Sequence, residues 1–396
     1  MPSAKPSLEL LRALTEEHVL RALMDHRRLT RAEIAGLTGI SKPTISEGVR
    51  RLVDMGLVVD TGERSSGRGR AGSYHALSPA CGTALVVSIT PGAVTCECVD
   101  AFGDVVASTA VPLEHGAGAY AVSRALRAAL EQADVAGTTS SSPGVGRRVR
   151  IAVVSAADPV DRATGRLVHL PDAPFLVGDL DPRSLLGDVV EGPVLVDNDV
   201  NWAARAEQAA GEAGAAAAVG AAGSADFVYL YLDEGLGCAV VSDGEVRRGH
   251  SGLAGEIAHL VTEGPDGRAT RLTEVFAQLG LRRDGSTAID VRRLRARVAE
   301  APTGDPTLEA LAAAVSGVLE AAIALADPAV VVVGGEWGRD EDFVAALRRR
   351  SADLTRPVPV AAAEVGDQPQ LAGARAAAID RLRDIVVGAV RSPGTQ

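Results

Sequence analysis

The stretch LVDNDVNWAARAE at residues 195–207 passes from an apolar run, through the step Asp-Asn-Asp-Val-Asn, into a helix-forming segment. An acidic, amide-rich step between a strand and a helix is a place where an enzyme can hold a general base, because ligands approach the carboxyl ends of strands. Asp199 is therefore the first candidate for chemistry in this chain, with Asn198 beside it.

The cysteines offer less chemistry. The four are Cys81, Cys96, Cys98 and Cys238, which lie far apart in the sequence except for one Cys-x-Cys pair. That spacing matches no zinc-binding pattern. We expect reduced thiols in the core and no metal site.

Length and composition describe the scaffold that must position these groups. With 396 residues, of which 46% are hydrophobic and 23% charged, the chain can form two or three globular domains. Its first twenty residues contain no uninterrupted apolar run for a signal peptide or membrane span, because charges recur at Lys5, Glu9, Arg12, Glu16 and Glu17. We expect a cytoplasmic protein with no membrane partner.

Beyond residue 84, strand patterns alternate with helix patterns. Strands are predicted near 84–92, 95–108, 148–156, 189–199, 227–235 and 327–338, and helices near 118–133, 201–212, 308–326 and 371–391. This alternation predicts an α/β architecture. The polar segment 138–146 and the Ala/Gly run ending at 223 are expected to form loops.

The first 78 residues differ from the rest in charge. Their net charge is +3, whereas the remainder carries −14, so only this segment suits a polyanionic partner. A first helix, or a pair of helices, is predicted over 8–23 with one apolar face: Leu8, Leu11, Leu14, Val19, Leu20 and Leu23.

A helix-turn-helix follows in the sequence. Thr30 and Glu33 form a capping box that opens a second helix, and a tight turn at 38–40 leads to Ser41, which can cap a third. Helix, short glycine-containing turn and helix are typical of DNA-binding proteins. The residues of the third helix predicted to face inward are Ile45, Val49, Leu52 and Val53.

In that geometry the start of the third helix enters the major groove. The predicted contacts to bases or phosphates are Ser41, Lys42, Thr44, Glu47, Arg50 and Arg51. Residues 57–77 are predicted to form a β-hairpin wing whose basic tip carries Arg64, Arg68 and Arg70. An ordinary three-helix unit with a solvated basic loop is the alternative.

Five segments together resemble the ROK family (repressor, open reading frame, kinase), in particular its longer members with a winged helix ahead of a sugar-kinase-like body. The segments are GISKPTIS at 39–46, NDVN at 198–201, GHSGLAGEIAH at 249–259, VVVVGGEWG at 330–338 and LAGARAAA at 371–378. Their order and spacing carry the resemblance over nearly the whole chain.

The resemblance implies a two-lobed actin-like ATPase (sugar-kinase-like) fold of the α/β class, preceded by a winged helix-turn-helix domain. The winged helix would occupy 1–78. The first lobe would comprise 79–198 plus 368–396 and the second lobe 199–367, with a sugar cleft between them.

The family's sugar-binding positions can be carried over one by one. Asn198 matches an asparagine that binds a sugar hydroxyl, and Asp199 matches the base that takes the proton from the acceptor hydroxyl. Glu256 and His259 match two further sugar contacts, and their three-residue spacing would place them on one face if helical. Glu274 matches another only if four residues are deleted, and Asp172 stands near an asparagine that touches the sugar in many relatives.

Departures from the family pattern are as informative. Active kinases open the body with Asp-x-Gly-Gly-Thr, where this chain has Ser88-Ile89-Thr90-Pro91-Gly92. Their second phosphate loop, Gly-Thr-Gly, is aligned here with Gly235-Leu236-Gly237. Losing a metal-binding carboxylate and a phosphate donor should abolish phosphoryl transfer, which leaves Asp199 as a vestigial base that accepts a hydrogen bond. The family's zinc-binding cysteines are absent from 263–274, so no zinc or other cofactor is expected.

These patterns favour a transcriptional regulator, acting as a repressor of carbohydrate metabolism genes. Its expected partners are double-stranded operator DNA and a sugar or sugar-derived effector, and its expected state is a homodimer or tetramer. Two alternatives remain: an ATP-dependent sugar kinase with an appended DNA-binding domain, and a ligand-independent regulator whose body serves only oligomerisation. For Asn198, Asp199, Glu256 and His259, the alternative is a capping cluster with a satisfied buried histidine.

Overall fold

Three helices and a three-stranded sheet form the N-terminal domain of the computed structural model, which describes residues 8–65, 72–114, 116–135, 148–170, 178, 180–213, 225–299 and 306–391. The helices are α1 (Leu8–His26), α2 (Arg31–Thr38) and α3 (Lys42–Asp54). The strands are β1 (Arg28–Thr30), β2 (Val58–Arg64) and β3 (Ser73–Leu77), antiparallel in the order β1-β3-β2. The predicted wing hairpin is confirmed, and the short strand β1 is an addition to it.

The predicted helix caps are confirmed. The Thr30 hydroxyl accepts the N–H of Glu33 at 3.3 Å, and the Glu33 carboxylate accepts the N–H of Thr30 at 2.7 Å. Gly39 ends α2 at φ 70°, a left-handed conformation that favours glycine, and the Ser41 hydroxyl then caps α3 by accepting the N–H of Thr44. These contacts fix the angle between the two helices of the DNA-binding motif.

Two predictions about apolar faces were wrong in part. Ile45, Val49 and Leu52 are fully buried, but Val53 is 39% exposed because it lies one residue beyond Leu52, on the outer side of α3. Along α1, the C-terminal half of the predicted face is buried in the core, whereas Leu8, Leu11 and Leu14 remain exposed. The N-terminal half of α1 extends past the core it was expected to cover.

A five-stranded sheet forms the first lobe of the body. Its strands are β4 (Thr83–Ile89), β5 (Ala93–Val99), β6 (Val105–Pro112), β7 (Val149–Ala156) and β8 (Val194–Asn198), in the order β6-β5-β4-β7-β8. The pairs β4–β5 and β5–β6 are antiparallel, whereas β4–β7 and β7–β8 are parallel. The helices α4 (Ala119–Gln132) and α5 (Pro182–Leu186) accompany it, and α6 (Asp199–Ala213) follows directly from β8.

The second lobe repeats the same plan. Its sheet contains β9 (Phe227–Leu232), β10 (Leu236–Ser242), β11 (Glu245–Val246), β14 (Val330–Gly334) and β15 (Val360–Ala362), in the order β11-β10-β9-β14-β15, with two antiparallel and then two parallel pairings. A small hairpin is formed by β12 (Val261–Glu263) and β13 (Ala269–Arg271), and the helices are α7 (Leu272–Gln278), α8 (Val291–Ala299), α9 (Thr307–Ala326) and α10 (Glu341–Ala352). The body is therefore built from two units of matching topology, as the sugar-kinase-like fold requires. The apolar helix α9 is long enough to cross a membrane, but Leu311, Val315 and Leu319 pack it into the core of this lobe.

The last helix, α11 (Pro369–Arg391), returns to the first lobe and lies against α6. The two helices approach so closely that a Cβ at Gly373 would lie 1.9 Å from the carbonyl oxygen of Trp202. Helix α6 also contacts the second lobe, because Val200 and Ala203 share a core cluster with the residues of β9 and β10. The boundary predicted at 198/199 remains a prediction, since α6 packs against both lobes.

The winged helix is docked on the body through α1 and α11. Core residues of α1 share one apolar cluster with Val386, Val387 and Val390 of α11. At the end of α11, Arg391 donates to the Glu17 carboxylate at 2.5 and 3.1 Å. Because these side chains are buried together, the N-terminal domain and the first lobe share one continuous hydrophobic core.

Candidate functional site

A cavity of about 630 Å³ lies between the two lobes, within the range of roughly 300–1,000 Å³ that is typical of small-ligand sites. The turns after β4, β8 and β9 contribute to its wall, together with the loop at 252–259. Four predicted site residues line it: Asn198, Asp199, Glu256 and His259. The structure thus brings together residues from two sequence segments more than fifty positions apart.

The junction of β8 and α6 holds Asn198 and Asp199. The Asn198 amide accepts the N–H of Val200 at 2.9 Å and donates to the carbonyl oxygen of Asp158 at 3.3 Å, so this side chain also shapes the cavity wall. One oxygen of Asp199 accepts the same N–H at 2.8 Å. The Asp199 carboxyl therefore stands at the first turn of α6, on the cavity wall.

Burial raises the pKa of Asp199 to about 7, and the hydrogen bond from Val200 opposes the shift only in part. Repulsion from Asp158, Glu256 and Asp233 raises the pKa further. Near neutral pH the group is thus poised between its two protonation states. It can accept a hydrogen bond from a ligand hydroxyl when ionised and donate one when protonated.

Glu256 and His259 reach the cavity by a route other than the predicted one. Neither residue is helical, because the segment that carries them consists of turns and irregular backbone. Gly255 has φ 97°, and a Cβ there would lie 1.8 Å from the carbonyl oxygen of Cys238. The N–H of Cys238 donates to the carbonyl of Gly255 at 3.1 Å, which pins the loop to β10. Only glycine fits at this contact, and it aims Glu256 into the cleft.

The side chain of Glu256 is accessible to water yet surrounded by protein, since it lies on a concave wall. This burial raises the pKa of Glu256 to about 7. Asp199 and Glu256, two carboxyl groups of the cleft, thus each have a pKa well above the ordinary value for their residue type.

One other predicted ligand contact, Glu274, does not join this group. Glu274 lies on the exposed side of α7, outside the cavity wall, and accepts a hydrogen bond from Arg282 at 3.0 Å. Its neighbour Thr273 lines the cavity instead. Asp172 lies outside the described residues.

The matching sheets place the turn at 233–235, between β9 and β10, where the first lobe has the turn at 90–92, between β4 and β5. The family resemblance implies that these two turns are the counterparts of the kinase phosphate loops. The alignment of the second loop with Gly235-Leu236-Gly237 was therefore wrong, since Leu236 and Gly237 already belong to β10. The residues at this turn are Asp233, Glu234 and Gly235. Two carboxylic residues, Asp233 and Glu234, therefore stand at this turn.

The Asp233 carboxylate accepts hydrogen bonds from three nearby donors. Its carboxylate accepts the N–H of Glu234 at 2.8 Å, the N–H of Glu336 at 3.2 Å and the hydroxyl of Tyr231 at 3.1 Å. Burial raises the pKa of Asp233, and the two backbone hydrogen bonds oppose that rise. Glu234 forms an ion pair with Arg283. Asp233 and Glu234 were not predicted as site residues, although the Asp-Glu-Gly triplet between two strands was the signal for a turn.

The described part of the chain contains no group of three or more histidine, cysteine or acidic residues arranged to hold a metal ion. Its four cysteines are buried and free. Burial raises the pKa of Cys96 and Cys238 to about 12, which makes them poor thiolate nucleophiles.

The predicted DNA-binding face lies at the start of α3. Ser41, Lys42 and Thr44 are all exposed there. Arg50 is held by Glu47 at 2.7 Å and by Asp54 at 2.8 Å, so its charge is largely balanced within the helix.

Further along the helix, Arg51 is only 24% exposed and pairs with Glu16 of α1 at 2.5 Å, a contact that joins two helices of the domain. On the wing, Arg64 is exposed and donates to Ser73. Arg68 and Arg70 lie outside the described residues. Among the residues described, Lys42 and Arg64 are exposed cations of this face that form no ion pair with a carboxylate.

Comparison with known proteins agrees with this architecture. The sequence model of the ROK family matches residues 129–381, and a model described as winged helix-turn-helix DNA-binding matches residues 12–59. A xylose repressor from Caldicellulosiruptor bescii is 22% identical over 250 residues, which cover 63% of this chain and 59% of the repressor. The chain thus spans about 60% of the length of that curated relative.

Two solved structures have similar folds. A ROK family transcriptional regulator, described as a homologue of the E. coli MLC protein, superposes with a TM-score of 0.60 at 17% identity, covering 96% of this chain and all of that one. A ROK hexokinase from Thermus thermophilus superposes with a TM-score of 0.55 at 26% identity, covering 76% of this chain and 99% of the hexokinase. The kinase matches a smaller share of the chain than the regulator does.

Proposed function

The chain belongs to the ROK family, and on that premise we propose that it is a DNA-binding transcriptional regulator, acting as a repressor, whose inter-lobe cleft binds a sugar or sugar derivative. One observation carries the proposal. A winged helix shares a continuous core with a sugar-kinase-like body whose second phosphate turn is occupied by Asp233 and Glu234.

The DNA-binding part of the proposal is supported by shape and charge. Helix α3 begins with an exposed, capped turn that carries Lys42, and the hairpin β2–β3 stands beside it as a wing. The xylose repressors among the relatives support the repressor role. Because one reading head gives limited specificity, we propose a homodimer or tetramer on a palindromic operator in the cytoplasm.

The effector part is supported by the cleft. An amide, an imidazole and carboxyl groups line a cavity of suitable size, and each can bond to a hydroxyl. Asp199 keeps the position of a kinase base, but phosphoryl transfer depends on positioning and charge neutralisation by phosphate loops and metal. Carboxylates in the turn at 233–234 would repel a nucleotide phosphate, so we propose that Asp199 binds ligand without catalysing transfer.

Coupling between effector and operator requires two states of the molecule with different affinities for DNA. Helix α11 supplies a physical connection. Gln370 near its start lines the cleft, and Arg391 at its end is bonded to Glu17 of the winged helix. A ligand that changes how the lobes close would thereby change the position of the reading head.

DNA binding is tested by fluorescence anisotropy of the full chain with the DNA upstream of its own gene, at several salt concentrations. Lys42→Ala combined with Arg68→Ala should weaken binding and flatten its salt dependence. Unchanged affinity at every salt concentration would contradict the winged-helix assignment.

The kinase alternative is supported by the hexokinase fold and by the retained Asp199. A coupled assay with hexoses, amino sugars and pentoses, ATP and magnesium separates the two functions. We expect no turnover above background; clear turnover that vanishes in Asp199→Asn would establish the kinase instead. A ligand-independent regulator would be favoured if no sugar raised the melting temperature, because a ligand bound only by the native state must raise it.

A further inference from the structure

The chain reverses direction between the end of α1 and strand β1 at Arg27, which has φ 65°. A left-handed backbone is unfavourable for a residue with a side chain, and glycine or asparagine is more usual at such a position. An arginine here indicates that its side chain has a use that outweighs the strain. The side chain is 58% exposed, so that use is not packing in the core.

The Arg27 guanidinium reaches out of the winged helix and binds the first lobe. Its two terminal nitrogens donate to the two carboxylate oxygens of Asp104, with Nη2 and Oδ1 2.7 Å apart. The same guanidinium lies over the ring of Phe102, with Cζ 5.5 Å from the ring centroid. A two-pronged hydrogen bond and a cation–π contact both depend on the orientation of the guanidinium plane. Arg27 can therefore fix an angle as well as a distance.

The turn that carries these two partners is held by its own hydrogen bonds. It joins β5 to β6, and the Asp100 carboxylate accepts the N–H of Phe102 at 2.9 Å and the N–H of Asp104 at 3.0 Å. The N–H of Gly103 donates to the carbonyl oxygen of Asp100 at 3.1 Å. Arg27 thus binds an ordered surface of the first lobe.

A second contact stands beside the first. Arg383 of α11 donates to the carbonyl oxygen of Ala101 at 2.9 Å, and its guanidinium lies 3.8 Å from the carboxylate of Asp25 in α1. The end of α1 is therefore tied both to the β5–β6 turn and to α11. A movement of α11 would carry this end of the winged helix with it.

Arg27 leads directly into the DNA-binding elements. The next residue begins β1, which pairs with β3 of the wing, and β1 ends at Thr30, the N-cap of α2. Only the three residues of β1 separate Arg27 from the first residue of α2. A fixed Arg27 therefore fixes the base of the wing and the start of the helix-turn-helix together.

We propose that Arg27 is a positioning residue for operator binding: its bond to Asp104 sets the angle of the winged helix on the first lobe, and thereby the separation of the two reading heads in a dimer. A dimer gains from its second head only when the spacing of the heads matches that of the half-sites. The inference rests on the proposed function in taking the operator to have two half-sites. It assigns Arg27 no contact with DNA.

Discrimination between half-site spacings tests the inference. Footprinting on the DNA upstream of the gene locates the operator, and fluorescence anisotropy compares it with a duplex that has one base pair inserted between the half-sites. The parent protein should lose about tenfold in affinity on the insertion, because its heads are held at one separation. Arg27→Gly keeps the left-handed backbone without strain, and it should bind the native operator more weakly but lose only about threefold or less on the insertion.

Asp104→Ala is the second variant, and it should behave as Arg27→Gly does. Removing a carboxylate would by itself strengthen binding to a polyanion, so weaker binding to the native operator cannot be an electrostatic effect. Arg28→Ala is the matched control, because Arg28 pairs with Glu63 and lies over Tyr74 inside the winged helix. It removes the same charge as Arg27→Gly and should keep the parent's discrimination between the two duplexes. Melting temperatures report whether the three variants are folded.

Parental discrimination in folded Arg27→Gly or Asp104→Ala would overturn the inference and leave the DNA-binding regulator standing. An equal loss of discrimination in Arg28→Ala would overturn it as well, because the charge alone would then explain the effect. Absence of any DNA binding by the parent protein would instead contradict the proposed function, and the inference with it.

Discussion

The carboxylate of Asp197 and the guanidinium of Arg248 form an ion pair that joins the two lobes, with Nη2 at 2.6 Å and Nε at 2.7 Å from the same oxygen. Asp197 belongs to β8 in the first sheet, and Arg248 follows β11 in the second. The other oxygen of Asp197 accepts from the Asn201 amide at 2.8 Å, so the carboxylate is fully used. This pair fixes the lobes beside the ligand cavity.

Arg248→Ala should lower the free energy of unfolding. The side chain of Asp197 is only 5% exposed, so removing Arg248 leaves a buried charge unpaired. Because Arg248 is 36% exposed, we expect about 1–3 kcal/mol, less than the roughly 3–5 kcal/mol typical of a fully buried pair. Urea denaturation measures the loss.

Arg247→Ala is the control for this prediction, since the neighbouring Arg247 pairs with Asp243 on the surface. It should cost no more than about 0.5 kcal/mol. Adding Asp197→Asn to Arg248→Ala should restore part of the loss. Equal effects of the two arginine substitutions would show that the inter-lobe pair contributes nothing particular.

Asp199 should make stability fall as pH rises. Its pKa is about 7 in the folded state and near 4 when unfolded, so the folded state holds a proton that the unfolded chain has released. The resulting loss of stability begins near pH 4, grows to about pH 7 and is constant above it. The groups facing Asp199 are the carboxyls of Asp158, Asp233 and Glu256.

Asp199→Asn removes this titration and keeps an acceptor for the N–H of Val200. Between pH 5 and pH 8 the melting temperature of the variant should therefore gain about 2–4 °C on the parent protein, after allowance for partial water access. Asp243→Asn, the same substitution at an exposed aspartate, should show no such gain. If the melting temperature of Asp199→Asn instead fell relative to the parent protein as pH rises, the raised pKa of Asp199 would be contradicted.

Lys42 and Arg50 should contribute unequally to DNA affinity. Lys42 is exposed at the start of α3, whereas Arg50 is already bound by Glu47 and Asp54. Lys42→Ala should weaken binding about tenfold and reduce the slope of log affinity against log salt by about one, whereas Arg50→Ala should cost about threefold or less. Electrophoretic mobility shifts at several salt concentrations distinguish them. A larger effect of Arg50 would mean that DNA displaces its two carboxylates.

Gly255 should tolerate no side chain. Gly255 has φ 97°, and a Cβ there would lie 1.8 Å from the carbonyl oxygen of Cys238. We therefore expect Gly255→Ala to destabilise the fold by about 2–4 kcal/mol and to impair effector binding. Gly92→Ala, also on the cavity wall but with nothing within 4 Å of its Cβ, is the matched control. Thermal unfolding and calorimetry together check both effects; similar results for the two glycines would contradict the pinned loop.

Arg391→Ala should uncouple effector from operator. Arg391 joins α11 to Glu17 of α1, whereas Arg21 pairs with the same Glu17 from within α1 at 2.9 Å. We expect Arg391→Ala to keep both binding activities within about threefold and to reduce the change in DNA affinity caused by effector, a coupling typically worth about 1–3 kcal/mol. Arg21→Ala should preserve that change. Full coupling in both variants would exclude this contact from the pathway.

Local patterns predicted local structure well. The capping box at Thr30 and Glu33, the turn at Gly39 and the strands β4, β7, β8, β9 and β14 were read from residue types whose effects act over a few positions. The strand predicted at 95–108 is instead two strands, β5 and β6, and β10 was not predicted. The repeated strand order of the two lobes was not predicted, because the two units share topology without a recognisable sequence repeat. Strand order depends on contacts between distant segments, which periodicity does not report.

In the cleft, too, the residues placed by local structure were predicted, whereas the course of segments held by distant contacts was not. Asn198 and Asp199 follow directly from a strand and a helix start, but Glu256 and His259 reach the cavity through a turn whose course depends on the contact of Gly255 with Cys238. The glycine pattern around 235–237 suggested the wrong residues for the second turn, because spacing alone does not show where β10 begins. Glu274 was misplaced since its side chain follows the exposed face of α7 and binds Arg282.

Helix α11 runs unbroken for 23 residues, which makes it about 35 Å long at 1.5 Å per residue. A rigid rod of that length acts as a lever arm. A tilt of about 5° at the end beside Gln370 would move the end beside Arg391 by about 3 Å, close to the spacing of successive base pairs in DNA. In a dimer, opposed movements of two such arms would change the distance between the reading heads by twice that amount, so a small ligand could shift the protein out of register with its operator.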